Sequence, residues 1–281
     1  MKTVTSISGG KTSAYLAANY PTDYNVFALV RVEDEKCRFP DEKIRRYVED
    51  RIQAPFIGTA EDDLIIYTIL DLEQYLGRKI DWVTGDTFEE VIRKRKALPN
   101  IATRFCTTEM KMKPICYWWL TNIGEPVKMN IGYRANEVDR ANSLNEQVNE
   151  AGLTPFALPV TMKQIKSGKW YNKNETFYWR QPHFPLITNN VYRYDIINYW
   201  ENKPVRFASY NNCVGCFHRN ELFLAKMFYE QRIKMQWFAD QEVKNRWKKE
   251  IRYEQLKNSR VAKEIGFDDM PGCWSGFCEV A

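Results

Sequence analysis

The stretch from Val4 to Ser13 constrains this chain more than any other. Val4, Ser6 and Ser8 alternate with Thr5 and Ile7, Gly9-Gly10 breaks the run, and residues 12–18 are good helix formers. A strand that passes through a glycine turn straight into a helix is the first half of a parallel crossover unit, since parallel strands cannot be joined by a hairpin. The pattern then repeats. Residues 24–32 are mostly apolar, as a strand buried on both faces must be. Residues 41–52 and 62–76 read as helices, the second closed by Gly77. A short strand follows at 79–83, a helix at 88–96, a helix at 107–120 that Pro114 must start, kink or break, and a strand at 127–133. Strands alternating with helices predict an α/β fold: a mostly parallel sheet of about five strands with helices on both faces.

From about residue 141 the character changes, and Asn, Gln, Pro and aromatics become frequent. Three regions are expected: 1–140 as an α/β domain, 141–184 as an insertion or loop region, and 185–281 as a helical, cysteine-bearing C-terminal part. Within the insertion, residues 149–180 read as a loop with a hairpin. Trp170, Tyr171, Tyr178 and Trp179 suit core or hairpin packing better than base stacking. Residues 191–200 and 221–257 read as helical, the latter as one or two segments.

A net charge of +5 on 281 residues fits an anionic substrate without indicating a nucleic-acid binder. Arg93-Lys94-Arg95-Lys96 and Lys248-Lys249 read as solvated helix faces. No run approaches the ~18 apolar residues of a membrane span, and no leader-like apolar run follows Met1, so a cytoplasmic location with no membrane partner is expected. Seven cysteines in such a chain suit thiols, metal ligands or cluster ligands better than disulfides.

Ser8-Gly9-Gly10-Lys11-Thr12-Ser13 has the chemistry of a phosphate cradle. Glycines admit close backbone approach, the helix start presents unpaired N–H groups and a favourable dipole, and Lys11 with the hydroxyls of Ser8, Thr12 and Ser13 adds contacts. The spacing is neither that of a Walker A loop nor that of a dinucleotide fingerprint. An S-G-G-x-x-S pattern after the first strand resembles the pyrophosphatase-loop superfamily, the adenine nucleotide alpha hydrolases. Arg104-Phe105-Cys106-Thr107-Thr108-Glu109-Met110-Lys111-Met112-Lys113-Pro114 is similar to a segment of that superfamily's phosphoadenosine-phosphosulfate reductase branch, although it holds one cysteine where a pair can occur. Gly132-Tyr133-Arg134, followed by Glu137 and Arg140, also resembles that branch. The likeness spans roughly residues 1–140, then 185–220 and the tail; residues 141–180 match no pattern of the branch.

The resemblance implies a doubly wound sheet and a ligand set of ATP with magnesium. Residues 8–13, Arg104, Glu137 and Arg140 would bind the cofactor, and Lys111, Arg134 and Cys106 would act in catalysis. Arg134 and Arg140 are candidate phosphate or sulfate clamps, with Glu137 holding one of them or a magnesium ion.

Cys213-Val214-Gly215-Cys216 is a C-x-x-C, and Cys273 and Cys278 form a second pair. Soft thiolates select zinc or iron–sulfur clusters. One ligand set is Cys106, Cys213, Cys216 and Cys278 (alternatively Cys273) around a 4Fe–4S cluster, with Cys106 placed there by the resemblance. The other is Cys213, Cys216, Cys273 and Cys278 around a structural zinc. A metal-free redox dithiol at Cys213 and Cys216 ranks third. His218 could join a zinc set, but it and His183 read better as supporting or solvent residues, and Cys37 and Cys116 as structural.

The resemblance implies an enzyme that cleaves ATP between the α and β phosphates to adenylate an acceptor, a small molecule or nucleic acid, for sulfur transfer from a donor protein. The alternatives are thiol-dependent reduction of a sulfonucleotide, and a non-catalytic nucleotide sensor with structural zinc.

Overall fold

The computed structural model describes residues 1–164 and 170–259. In chain order the elements are β1 (Thr3–Ile7), α1 (Lys11–Asn19), β2 (Tyr24–Leu29), β3 (Arg31–Val32), α2 (Glu42–Ile52), β4 (Gly58–Thr59), α3 (Leu64–Leu76), β5 (Asp81–Thr84) and α4 (Phe88–Arg95). A short α5 (Phe105–Thr107) runs through a wide π-helical turn, Thr108–Met112, into α6 (Lys113–Asn122). Then come β6 (Val127–Asn130), α7 (Val138–Asn145), β7 (Thr154–Gln164), β8 (Trp170–His183), α8 (Pro185–Thr188), α9 (Arg193–Trp200), α10 (Glu221–Glu230), α11 (Arg232–Asp240) and α12 (Tyr253–Leu256).

The main sheet runs β5-β2-β1-β6-β8-β7. Every pairing in it is parallel except that of β7 with β8. The sheet therefore has six strands, not about five. The difference lies in residues 141–184: their hairpin does not stand apart but lays β8 alongside β6, Val127 opposite Arg180 and Asn130 opposite His183. Arg31–Val32 leaves the β2 line to pair with β4 in a separate two-stranded ribbon.

Alternation along β2 divides the core. Phe27 and Leu29 join Ile7 and Trp82 against Leu16 of α1, Ile65 and Ile69 of α3 and Trp200 of α9. Val26 and Ala28 join Val4, Val127 and Met129 against Ile115, Cys116 and Trp119 of α6, and against Trp179 of the hairpin. Trp179 is fully buried and its ring meets that of Trp119 at 5.7 Å, whereas Tyr178 stays exposed.

Local chemistry sets the helix ends. The Asp41 carboxylate accepts from the Lys43 and Ile44 amides at the start of α2. Thr87 and Glu90 form a reciprocal capping box on α4. Gly77 ends α3 at φ +60°. Pro114 falls just after the π-helical turn, inside a run that stays helical from Phe105 to Asn122, so it neither starts nor breaks the helix; the widened turn accommodates a residue with no N–H.

The expected helix over 221–257 is three helices separated by a non-helical stretch between Asp240 and Tyr253. The reason is Glu242, whose buried carboxylate accepts from the amides of Trp247 (3.1 Å) and Tyr253 (2.7 Å) and folds the chain around Trp247. Trp247 packs between Phe88 of α4 and Phe238 of α11. The C-terminal helices thus share a core with α4 and β3. Arg93 and Lys94 are exposed and face Glu33 and Asp86, and Arg95 pairs with Glu109, as solvated helix faces do.

Gly215, inside the C-x-x-C, is needed for space. A Cβ there would lie 2.3 Å from Cγ of the buried Phe238 ring. Gly215→Ala is expected to cost about 1–3 kcal/mol, read as a lowered midpoint in urea denaturation; an unchanged midpoint would refute this packing. No helix among the described residues is long and apolar enough to cross a membrane.

Candidate functional site

From β1 the chain moves outward through β2 to β5, then returns to the opposite side of β1 as β6. The strand order reverses there, so a crevice is expected beyond the carboxyl ends of β1 and β6. A cavity occupies that position. It is lined by Ser8, Gly10, Thr12 and Ser13 after β1, by Asn130 at the end of β6 and Gly132 and Tyr133 after it, by Thr107 and Lys111 of the α5–α6 segment, and by Arg180 of β8.

Gly9 makes the turn, at φ +76°, where an added Cβ would lie 2.5 Å from Ile65 of α3. Gly10 then caps α1 without a side chain, so the first N–H groups of the helix have no capping acceptor. Ser13 stitches the loop: its Oγ accepts from the Ser8 amide at 3.0 Å and donates to the Gly10 carbonyl at 3.1 Å, with Ser8 Oγ 3.1 Å away. Gly132 lets β6 approach closely, since a Cβ there would meet Thr12 Cγ2 at 3.2 Å.

Thr12 differs from its neighbours. It is 7% exposed, and its Oγ1 is buried with no hydrogen-bond partner among the described residues. A buried hydroxyl left this way costs about 1–3 kcal/mol, and this one sits at a helix start whose first N–H groups favour an anion. Lys11 does not line the cavity; its carbonyl accepts from Trp200 Nε1 at 3.0 Å, which ties α1 to α9.

Lys111 does line it, and its Nζ lies 2.8 Å from Oε1 of Glu61, a carboxylate only 1% exposed. The second oxygen of Glu61 is buried and has no partner among the described residues. The π-helical turn places Lys111 here; such turns reset the face a helix presents and recur at functional sites.

The structure brings Cys106, Cys213 and Cys216 into one neighbourhood. Glu61 bridges Cys213 in antiparallel fashion, and the Val214 amide donates to the Ala60 carbonyl at 2.9 Å. Burial pushes the Cys213 thiol well up, and Glu61, Cys216 and Cys106 add to the shift. Burial also raises Cys106, against the opposing charges of Lys111 and Arg104. Burial lowers His218 to about 4, with Arg104 and Lys248 adding to it. Arg104 therefore stands close to Cys106 and His218 and does not line the cavity, where the resemblance puts it as a nucleotide-binding residue.

Among the described residues no group of three His, Cys, Asp or Glu side chains converges tightly enough to hold a metal ion. Cys273 and Cys278 lie outside the described residues. Cys37, Cys106, Cys116, Cys213 and Cys216 are all thiols.

Glu137 resolves the two arginines after β6. Its Oε2 accepts from both the amide and Nε of Arg134 at 2.9 Å, and its Oε1 accepts from Arg140 at 2.5 Å. Arg134 is buried away from the cavity lining, whereas Arg140 lies over the Tyr133 ring at 4.3 Å.

No family model, curated protein or solved structure matches this chain. The site therefore stands on its own geometry. Two of its residues carry no sequence signal of their own. Glu61 falls in an acidic run before α3, and Arg180 falls in the hairpin, outside the motifs that carry the resemblance.

Proposed function

We propose that this chain binds the phosphates of an adenine nucleotide at residues 8–13 and cleaves ATP between the α and β phosphates to adenylate an acceptor. The observation that carries the reading is the orphaned Thr12 Oγ1 at the start of α1, inside the crevice where the strand order reverses. Oriented N–H groups and a hydroxyl donor with no internal acceptor suit a polyphosphate. Lys111, across the cavity, is placed to stabilise charge that develops as the α–β bond breaks, and Glu61 fixes its position. Magnesium bound with the nucleotide would offset the charge of the pyrophosphate. Under this proposal the sheet is doubly wound and the protein works in the cytoplasm.

Thr12→Val separates binding from folding. Valine keeps the shape and removes the hydroxyl. Stability without ligand is expected to stay within about 1 kcal/mol of wild type or to rise. Affinity for Mg-ATP is expected to fall about tenfold or more, the worth of a hydrogen bond to a charged group. Unchanged affinity by calorimetry would remove the hydroxyl from the site.

Sulfonucleotide reduction needs a cysteine within reach of the bound sulfate; Cys106 does not line the cavity, and Cys278, the tail cysteine that would serve, lies outside the described residues. The shared neighbourhood of Cys106, Cys213 and Cys216 supports a thiolate-held cluster or zinc completed by Cys278 or Cys273. Elemental analysis after anaerobic purification tests it: wild type is expected to hold iron or zinc and Cys213→Ser to lose it, and full metal content in the variant would discard this ligand set. Sulfur transfer from a donor protein to a nucleic-acid or small-molecule acceptor belongs to the same proposal.

A further inference from the structure

A second cavity, of about 410 Å³, adjoins the first and lies between α7 and the β7–β8 hairpin. Arg180, Met112 and Leu144 line both. The volume is within the range of small-molecule sites. Its other lining residues include Asp139, Arg140, Ser143, Gln147, Thr154, Phe156 and Trp179.

The polar groups in its wall are unbalanced. Arg180 donates to Thr154 Oγ1 at 3.2 Å and to Met129 Sδ at 3.3 Å, and its guanidinium lies 5.1 Å from the centre of the Trp179 ring. No carboxylate among the described residues pairs with it, and burial draws its pKa down to about 10. Arg140 spends one nitrogen on Glu137, while its Nη2 is buried with no partner among the described residues. Trp179 Nε1 is a third buried donor without an acceptor. A half-buried guanidinium without a counter-ion is costly, and buried donors left without acceptors add to that cost. A ligand that supplies negative charge and acceptor oxygens removes both deficits at once.

We propose that this cavity binds a small oxyanion-bearing molecule, a carboxylate or phosphate, whose charge is taken by Arg180 and Arg140. Adjacency to the loop cavity makes that molecule the acceptor. The acceptor role rests on the nucleotide reading, whereas the anion site does not. A small molecule fits better than a nucleic-acid backbone. Asp139 lines the cavity, and Glu146 and Glu150 are exposed just beyond α7, so a polyanion would meet repulsion at the rim.

The test uses inorganic phosphate with the full chain in the Gly10→Val background, where the loop is blocked. Phosphate at about tenfold its Kd is expected to raise the melting temperature by about 2 °C or more. Arg180→Met added to Gly10→Val is expected to abolish the shift, and Arg140→Gln to reduce it; the second variant serves if the first does not fold. No shift in Gly10→Val, or a shift that survives loss of Arg180, overturns the site. A short single-stranded oligonucleotide forms the other arm. Binding that is tighter than that of phosphate and lost with Arg180 overturns the small-molecule assignment. Failure of wild type to bind ATP, with the phosphate shift intact, defeats the nucleotide reading alone.

Discussion

Gly10→Val is expected to weaken adenine nucleotide binding by about 100-fold or more while leaving the fold in place. Gly10 has φ −96° and ψ 158°, an extended conformation that a β-branched residue adopts readily, so the turn itself survives. Gly10 lines the cavity, so the added isopropyl group is expected to take up space that a ligand there would use. A steric cost of about 3 kcal/mol for a ligand forced past it corresponds to that fold-change. Gly9 makes the contrasting control. Its φ of +76° and the 2.5 Å approach to Ile65 mean that Gly9→Ala loses stability as well as binding. Equal affinities in wild type and Gly10→Val, by calorimetry, would remove the loop from the binding site.

Lys111→Ala is expected to destabilise the protein by about 3 kcal/mol in addition to lowering turnover. The sequence shows Lys111 only as a cation near a helix start. The structure shows that its ammonium faces a carboxylate 1% exposed. Truncation leaves that charge in a low-dielectric site without the ion pair, the costly way to break a buried pair. Lys234 does not replace it, because its Nζ is spent on the Glu61 carbonyl at 2.5 Å and on Asp63 at 2.7 Å. Glu61→Gln combined with Lys111→Ala removes the stranded charge and is expected to recover part of the loss. The double-mutant cycle in urea gives the coupling directly. Additive effects would show that the pair is not energetically linked.

What the sequence revealed follows from how local each feature is. The β1–loop–α1 unit, the Gly77 stop on α3 and the hairpin all depend on neighbouring residues, and glycines, alternation and caps report them. Glu61, Arg180 and the reach of the hairpin depend on pairings far apart in the chain. Glu61 gains meaning only when Lys111, fifty residues on, is laid against it by the π-helical turn. Arg180 gains meaning only when β8 pairs with β6 and carries it over the crevice. The arginines after β6, which the resemblance names as clamps, are told apart only by packing: Glu137 accepts from both, and Arg140 Nη2 is buried with no partner among the described residues. The break in the C-terminal helix is likewise invisible locally, because Glu242 makes it by reaching five and eleven residues ahead.

The most direct test is a crystal structure of the protein with magnesium and an ATP analogue whose α–β bridge cannot be cleaved. The account predicts phosphate oxygens within hydrogen-bond reach of the amides at residues 11–13 and of Thr12 Oγ1, with Lys111 facing the α–β bridge. A nucleotide bound elsewhere, or none bound while Thr12 Oγ1 keeps no partner, would contradict it.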